Sequence, residues 1–261
     1  MQPIATIVQI TDSHLFSQPD AQLLGITTLE SFKQVVSLVR QEMGEIDLLL
    51  VTGDIAQDSS PVAYRQFAHY TEGLASNTRW LPGNHDELLQ MQSFCRNNSF
   101  LNTQTSLGNW LLLTLNSHVR HQSYGYLADI PALEKKLKTT EQEHIMLAIH
   151  HHILPLGSAW LDNINLRNAD EFLACIKQFP QVKLVSCGHA HQLSDLTLEH
   201  IRIVTTPSTC VQFMPWAEDF KVDTQQPGFR VFQLYADGRF TTYVKRLPEN
   251  SFLADEHASG Y

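Results

Sequence analysis

The chain has 261 residues, of which 43% are hydrophobic and 17% charged, so it is long enough to bury the core of one globular domain. Its formal net charge of −9 argues against binding to a nucleic acid polymer, because that affinity depends on lysine and arginine neutralising phosphates. A small anionic substrate fits this charge better. No stretch approaches the roughly 20 apolar residues of a membrane-spanning helix, so no membrane partner is expected.

Strand and helix patterns alternate through the first part of the chain. Residues 4–10 form an apolar run typical of a buried strand, and residues 29–43 carry apolar side chains at helical spacing. The rhythm continues with a strand at 46–51, a helix at 61–74, a short strand at 79–81 and a helix at 87–95. This alternation predicts parallel strands joined by crossover helices.

The middle of the chain begins with a predicted hairpin, in which residues 100–105 pair with 109–116 across Ser106-Leu107-Gly108. The later elements are a helix at 131–138, a strand at 144–149, a helix at 169–179, a strand at 182–186, and antiparallel pairs 193–198 with 200–205 and 228–235 with 239–246. The predicted fold class is α/β (α+β), a four-layer α/β/β/α sandwich of two mixed β-sheets flanked by helices. Residues 1–247 are predicted to form a single domain, and residues 248–261 a loosely ordered C-terminal tail.

Five polar clusters directly follow five of the predicted strands. In open α/β sheets ligands bind beyond the carboxyl ends of the strands, so these distant segments are expected to meet at one site. A single cluster of this kind is typical of an ordinary turn, whereas five together predict an assembled site. The clusters are Asp12-Ser13-His14, Gly53-Asp54, Gly83-Asn84-His85-Asp86, His150-His151-His152 and Gly188-His189-Ala190-His191.

The residue types in these clusters are those of a metal site. Asp12 and His14 lie two apart in a segment predicted to be extended, where both side chains point to the same side and can bind one ion. His189 and His191 have the same spacing. The glycine that opens three clusters permits a sharp turn before the ligand. Carboxylate, amide oxygen and imidazole together favour Mn, Fe or Zn over Ca, which prefers oxygen ligands alone.

In this order, the clusters resemble the signature of the calcineurin-like metallophosphoesterases. The resemblance implies the same sandwich fold and two divalent or trivalent metal ions per chain, Fe, Mn or Zn. It implies that Asp54 bridges the ions and that each ion has three further protein ligands. The set for one ion is Asp12, His14, Asp54 and His191, and the set for the other is Asp54, Asn84, His150 and His189.

The fourth cluster departs from the family pattern, which usually has a proline where this chain has Ile153. His150 is taken as the ligand because the family uses the first histidine after the strand. His151 and His152 are left as supporting or packing residues.

The resemblance also implies the chemistry. Paired ions lower the pKa of bound water towards about 7 and bind the phosphoryl oxygens. His85, next to the ligand Asn84, is expected to be catalytic, either stabilising developing charge or protonating the leaving alkoxide. Asp86 is assigned to the catalytic group because it is expected to orient His85. Asn84, His85 and His191 are expected to contact the substrate.

The substrate is suggested by segments outside the metal motifs. Residues 20–28, 124–127, 157–162 and 206–213 resemble the bacterial class III 3′,5′-cyclic-AMP phosphodiesterases, which implies hydrolysis of cyclic AMP or a related cyclic nucleotide to the 5′-monophosphate. A glycerophosphodiester phosphodiesterase is the nearest alternative, and a catalytically inactive, metal-stabilised scaffold is an alternative of another class. Trp160 and Phe213 are candidate walls of a nucleoside pocket, with a packing role as the competing interpretation.

Cysteine spacing and the N-terminal segment bear on the compartment. The four cysteines form no CxxC pair, which favours reduced thiols over a disulfide framework. The first ten residues lack a basic region and a cleavage site, and removal of a leader would remove the strand before Asp12, so a cytoplasmic location is expected. Histidines outside the motifs, including His118 and His121, are assigned to surface or core. A homo-oligomer is left open.

Overall fold

A computed structural model of the chain describes residues 2–258 and residue 260. The strands in this part are β1 (Ala5–Ile10), β2 (Gln22–Leu23), β3 (Ile26–Thr27), β4 (Leu48–Val51), β5 (Asn77–Trp80), β6 (Gln104–Leu107), β7 (Trp110–Leu115), β8 (His144–Ile149), β9 (Val182–Cys187), β10 (Ser194–Leu198), β11 (Ile201–Thr205), β12 (Gln212–Phe213), β13 (Val222–Asp223), β14 (Gly228–Leu234) and β15 (Phe240–Arg246). The helices are α1 (Thr28–Glu42), α2 (Pro61–Thr71), α3 (Leu88–Phe94), α4 (Ile130–Thr139), α5 (Ala159–Asp162) and α6 (Ala169–Ile176), with a 3₁₀ turn at Cys95–Asn97.

Two mixed sheets form the centre of the molecule. One has the strand order β15-β14-β1-β4-β5, in which β1, β4 and β5 are parallel and β14 is antiparallel to both of its neighbours. The other has the order β10-β11-β9-β8-β7-β6, with parallel β11, β9, β8 and β7 between antiparallel edge strands. The central strand β4 and most of β8 are buried and apolar on both faces, as strands covered on both sides are expected to be.

Alternation along the strands explains the four layers. In β1, Ile7 packs in the core between the two sheets, whereas the next residue, Val8, packs against α1 and α2. In β8, Met146 belongs to the core between the sheets, and Leu147 packs with residues of α4 and α6. Successive side chains of a strand point to opposite faces, so each sheet contributes to two cores. The predicted four-layer α/β/β/α fold is confirmed.

The predicted hairpin in the middle of the chain has the wrong register. Residues 100–103 are not a strand, and β6 and β7 are joined at Gly108-Asn109 rather than across Ser106-Leu107-Gly108. Gly108 has φ +62°, the left-handed conformation that a tight turn requires and that glycine adopts without strain. Phe100 instead packs beside Trp80, with ring centroids 4.8 Å apart.

Two further predictions concern the cysteines and the membrane. Cys95, Cys175, Cys187 and Cys210 are all buried and free in the structure, and the expectation of reduced thiols stays a prediction. Among the described residues, none of the helices is long and apolar enough to cross a membrane. The boundary at residue 247 stays a prediction.

Candidate metal centre

All five polar clusters lie at the edge where the carboxyl ends of the parallel strands meet. Asp12, Asp54 and Asn84 follow β1, β4 and β5 of one sheet, while His150 and His189 follow β8 and β9 of the other. Asp12, Asp54, His150 and His189 are each less than 5% exposed. The two sheets therefore each supply part of one buried polar centre between their edges.

The turns that carry the predicted ligands have left-handed backbone. The values of φ are +52° at Asp12, +45° at His14, +49° at Asp54, +62° at His189 and +48° at His191. Such a conformation costs a non-glycine residue on the order of 1–3 kcal/mol and is concentrated at functional sites. The expectation that Asp12 and His14 share an extended segment is therefore wrong, because tight turns rather than pleat alternation aim their side chains.

Hydrogen bonds and close packing hold these turns together. The amide of Asp12 donates to the carbonyl oxygen of Gly53 at 3.0 Å, and the amide of His14 donates to that of Asp54 at 2.9 Å. Gly53 has φ +94°, and a Cβ there would lie 2.6 Å from the ring of His150. A Cβ at Gly83 would overlap the carboxyl group of Asp54. Close approach of the backbones thus explains why glycine stands at both positions.

The first predicted ligand set is compact. His14 Nε2 lies 3.1 Å from His191 Nε2, and His191 Nε2 lies 3.5 Å from Asp12 Oδ1. His14 Nε2 also lies 3.9 Å from Asp54 Oδ2. Ligand atoms of Asp12, His14 and His191 all fall within 4.8 Å of one another, which is the spacing a single ion requires of its ligands.

The second predicted ligand set includes the same carboxylate as the first, that of Asp54. His150 Nε2 is 3.3 Å from Asp54 Oδ2 and 3.0 Å from Asn84 Oδ1. His189 packs edge-to-face against the ring of His150 with centroids 5.0 Å apart, and its buried Nε2 has no hydrogen-bond partner among the described residues. An orphaned imidazole nitrogen is costly to bury unless a ligand such as a cation satisfies it.

In three of the histidine rings, an oxygen atom next to Nδ1 determines which ring nitrogen carries a proton. Nδ1 of His150 lies 2.7 Å from the carbonyl oxygen of Thr52, and Nδ1 of His191 lies 2.8 Å from that of Val211. Nδ1 of His14 lies 2.5 Å from the side-chain oxygen of Gln57. Because these oxygens only accept, each Nδ1 carries a proton, which leaves each Nε2 facing the centre as the nitrogen that can bind a cation. The donor set therefore fits metal ions.

The electrostatics of the centre also favour bound cations. Burial lowers the pKa of His14 to about 3, so its ring is neutral. Burial opposes charge at His150 too, but the Asp54 carboxylate outweighs it and raises the pKa of His150 to about 9. Burial raises the pKa of Asp54, yet His150 and His85 outweigh it and hold that pKa well below its usual value. Positive charge beside Asp54 is therefore stabilised.

The two histidines that follow His150 each contact a residue outside the two predicted ligand sets. Nδ1 of His151 lies 2.8 Å from the hydroxyl oxygen of Ser117, and Nε2 of His152 lies 3.4 Å from Asp162 Oδ1. The ring of His151 packs against that of His189 with centroids 4.6 Å apart and the ring planes tilted by 47°, and its Nε2 is buried without a hydrogen-bond partner in the described part of the chain. Ligand atoms of His150, His151 and His189 lie within 4.8 Å of one another, so His151 borders the centre and His152 supports the loop behind it.

The Asp86 carboxylate is held by groups on two neighbouring loops and α2, while its predicted role in orienting His85 stays a prediction. Its carboxylate accepts hydrogen bonds from the backbone amides of Gly83 at 2.9 Å and Ala56 at 3.1 Å, and from the hydroxyl of Tyr64 at 3.1 Å. Burial and the neighbouring Asp54 charge raise the pKa of Asp86 to about 7. Asp86 is thus a positioning residue that fastens the loop of Asn84 and His85 to the loop after Asp54.

A cavity of about 460 Å³ opens beside the centre. Asn84, His85 and His189 line its inner end, whereas His191 is fully buried with its ring stacked 4.4 Å from that of Phe213. Trp160 lines the cavity as expected, but Phe213 is only 1% exposed and does not line it.

Several residues around the cavity were missed in the sequence. They include His121, Gln122 and Ser123 in the loop after β7, and Phe220 before β13. Because β7 is parallel to β8, its carboxyl end lies at the same edge as His150. A search of every strand end, not only those followed by a motif, would have found His121.

Comparison with known proteins agrees with this geometry. The calcineurin-like phosphoesterase family matches residues 5–193. The chain is similar to the 3′,5′-cyclic adenosine monophosphate phosphodiesterase CpdA of Escherichia coli (strain K12), 42% identical over 98% of this chain and 94% of the relative. It is also similar to a 3′,5′-cyclic-nucleotide phosphodiesterase of Nostoc sp., 39% identical over 93% and 92%. A dimetal phosphatase from Danio rerio shares the fold, with a TM-score of 0.72 at 14% identity over 95% of this chain and 98% of that one.

Proposed function

The chain belongs to the calcineurin-like phosphoesterase family, and we propose that it hydrolyses 3′,5′-cyclic AMP, or a related cyclic nucleotide, to the 5′-monophosphate. The similarity over nearly the full length of relatives named as cyclic-nucleotide phosphodiesterases carries this proposal. The cavity beside Asn84 and His85 supports it, because about 460 Å³ lies in the range of ~300–1,000 Å³ that small-molecule sites occupy. A cytoplasmic location is part of the same proposal.

The family implies a dinuclear metal site, and the ligands are assigned here to the clustered side chains. Asp54 is the shared ligand, since its Oδ2 faces His14 on one side and His150 on the other. Mixed carboxylate and imidazole donors favour Fe, Mn or Zn. One ion is assigned to Asp12, His14, Asp54 and His191, and the other to Asp54, Asn84, His150 and His189.

The protein side of the reaction follows from the position of each group. Bound ions would supply Lewis acidity for the attacking water and the phosphoryl group. The P–O3′ bond breaks, and the leaving 3′ oxygen takes a proton. His85 lies at the inner end of the cavity next to Asn84 and is the candidate donor of that proton. Its backbone amide donates to Asp54 Oδ1 at 2.8 Å, which ties the proposed acid to the shared ligand.

Substrate class is tested by direct assay. We expect the purified, Mn-loaded protein to convert cyclic AMP to AMP and to stop there, because the monoester product carries a second negative charge that favours retention at the cationic centre. Chromatography of the reaction measures product, and added AMP should inhibit competitively. Cyclic GMP, glycerophosphocholine and an aryl phosphodiester serve as comparison substrates. Absence of AMP together with rapid cleavage of glycerophosphocholine would assign the protein to the glycerophosphodiesterases instead.

The choice of His150 among three consecutive histidines gives a second prediction. His150→Ala should remove the ion of the second set, because Nε2 of His150 is the nitrogen that faces both Asp54 and Asn84. Metal content per chain, measured by mass spectrometry, should fall for this variant. His152→Ala is the matched control and should keep its metal, since its ring faces Asp162. Metal loss in His152→Ala but not in His150→Ala would show that His152, rather than His150, is the ligand.

A further inference from the structure

The cavity beside the metal centre has walls that the phosphate chemistry does not use. Beyond Asn84, His85 and His189, one side is polar and comes from His121, Gln122 and Ser123, and the other is apolar and comes from Trp160, Ile164 and Phe220. Gly260, near the end of the chain, completes the lining. A phosphodiester bound at the centre would therefore extend between a polar wall, an aromatic wall and the C-terminal tail.

The tail reaches this position along a defined path. The backbone amide of Phe252 donates to Gln226 Oε1 at 2.9 Å, and the side-chain Nε2 of Gln226 donates to the carbonyl oxygen of Phe252 at 3.0 Å. The backbone amide of Asp255 donates to the carbonyl oxygen of Leu24 at 2.8 Å, in the β2–β3 turn. These hydrogen bonds hold the tail at two points on the way to the cavity.

Apolar contacts reinforce the path. Phe252, Ala254 and Ala258 pack against a buried cluster that includes Val211 and Phe213, and Trp160 and Phe220 pack on the same cluster. Phe220 stands 5.1 Å from Trp160 in an edge-to-face arrangement. The tail and the aromatic side chains that line the cavity thus pack on the same buried cluster, so the position of the tail is coupled to that of these side chains.

From these contacts we infer that the end of the C-terminal tail, where Gly260 lines the cavity, forms one wall of a subsite for the nucleoside of a cyclic nucleotide. This inference rests on the proposed function. The aromatic faces of Trp160 and Phe220 suit a planar base, and His121, Gln122 and Ser123 offer hydrogen-bonding groups for its polar edge. Gly260, near the end of the tail, lines the same cavity as these two groups of residues.

Deletion of residues 259–261 tests the inference. We expect KM for cyclic AMP to rise by roughly tenfold, with kcat for an aryl phosphodiester lacking a nucleoside unchanged, because only the nucleoside contacts that wall. Trp160→Ala should show the same substrate-dependent split through loss of stacking. Leu253→Ala is the matched control, since Leu253 is 75% exposed within the tail and should behave as the parent. Thermal unfolding checks that each variant is folded.

Inhibition by AMP separates this inference from the proposed function. The aryl diester is the substrate, and the inhibition constant for AMP should rise in the deletion variant by the same factor as KM for cyclic AMP. This readout does not require cyclic AMP turnover, so failure of the parent to cleave cyclic AMP would overturn only the proposed function. Equal effects on nucleotide and aryl substrates, no effect, or tighter AMP inhibition after the deletion would each overturn the role of the tail.

Discussion

Asp54→Ala is expected to reduce phosphodiester hydrolysis to the detection limit and to lower the content of both metal ions. Asp54 is 1% exposed, and its Oδ2 lies within 4 Å of Nε2 of both His14 and His150, one from each predicted ligand set. Removing the shared carboxylate would leave two neighbouring cations without a common anion, so neither set would bind its ion as tightly. Kinetics and metal analysis on the same preparation measure the effect.

Two companion variants define the cause. Asp54→Asn keeps the volume and removes the charge, so it should also lose metal if the negative charge is what bridges the ions. Asp237→Ala is the matched control, because this aspartate lies in the β14–β15 turn and bonds Arg239 at the surface. Near-normal turnover with a full metal complement in Asp54→Ala would show that the bridging assignment is wrong.

The fold was predictable because most strands here are covered on both faces. Continuous apolar runs such as Leu48–Val51 can only be buried strands of a sheet between two layers, and their alternation with amphipathic helices gives the parallel order. The edge strand β6 of the second sheet was harder to predict. Residues 100–103 have strand-like composition, but Phe100 is held by an aromatic contact with Trp80 from a distant part of the chain, which local patterns do not contain.

The location of the site was predictable, whereas its local geometry was not. Parallel strands carry their carboxyl ends to one edge, so Asp12 and Asp54 were expected to lie together, and the packing of the second sheet brings His150 to the same edge. Their left-handed turns could not be inferred from spacing, because tertiary hydrogen bonds such as that between the amide of His14 and the carbonyl of Asp54 stabilise a conformation that the isolated chain avoids.

The residues that line the cavity were still harder to identify from the sequence. His121 and Phe220 lie in loops with no recurrent motif, and they reach the centre only because β7 ends at the same edge as β8 and because Phe220 packs on Trp160. Asp86 also has partners that its sequence neighbours do not indicate, because its carboxylate accepts hydrogen bonds from the backbone amides of Gly83 and Ala56.

His85→Ala is expected to keep both ions and to lose turnover on cyclic AMP by ~10²–10⁴-fold, the effect typical of a general acid. His85 lies at the inner end of the cavity, while its ring packs edge-on against His14 at 5.0 Å. An alkoxide is a poor leaving group without a proton, whereas a nitrophenolate leaves readily. The loss should therefore be much smaller for a nitrophenyl phosphodiester, and the ratio of the two losses measures the proton transfer.

Metal analysis decides between acid and ligand at this position. Ligand atoms of His14, Asp54 and His85 lie within 4.8 Å of one another, so geometry alone would also admit His85 as a ligand. Loss of one ion in His85→Ala, with equal loss of activity on both leaving groups, would make His85 a ligand and contradict the assigned role. His69→Ala, an exposed histidine near the end of α2, is the matched control and should retain both metal and activity, because its ring lies outside the centre.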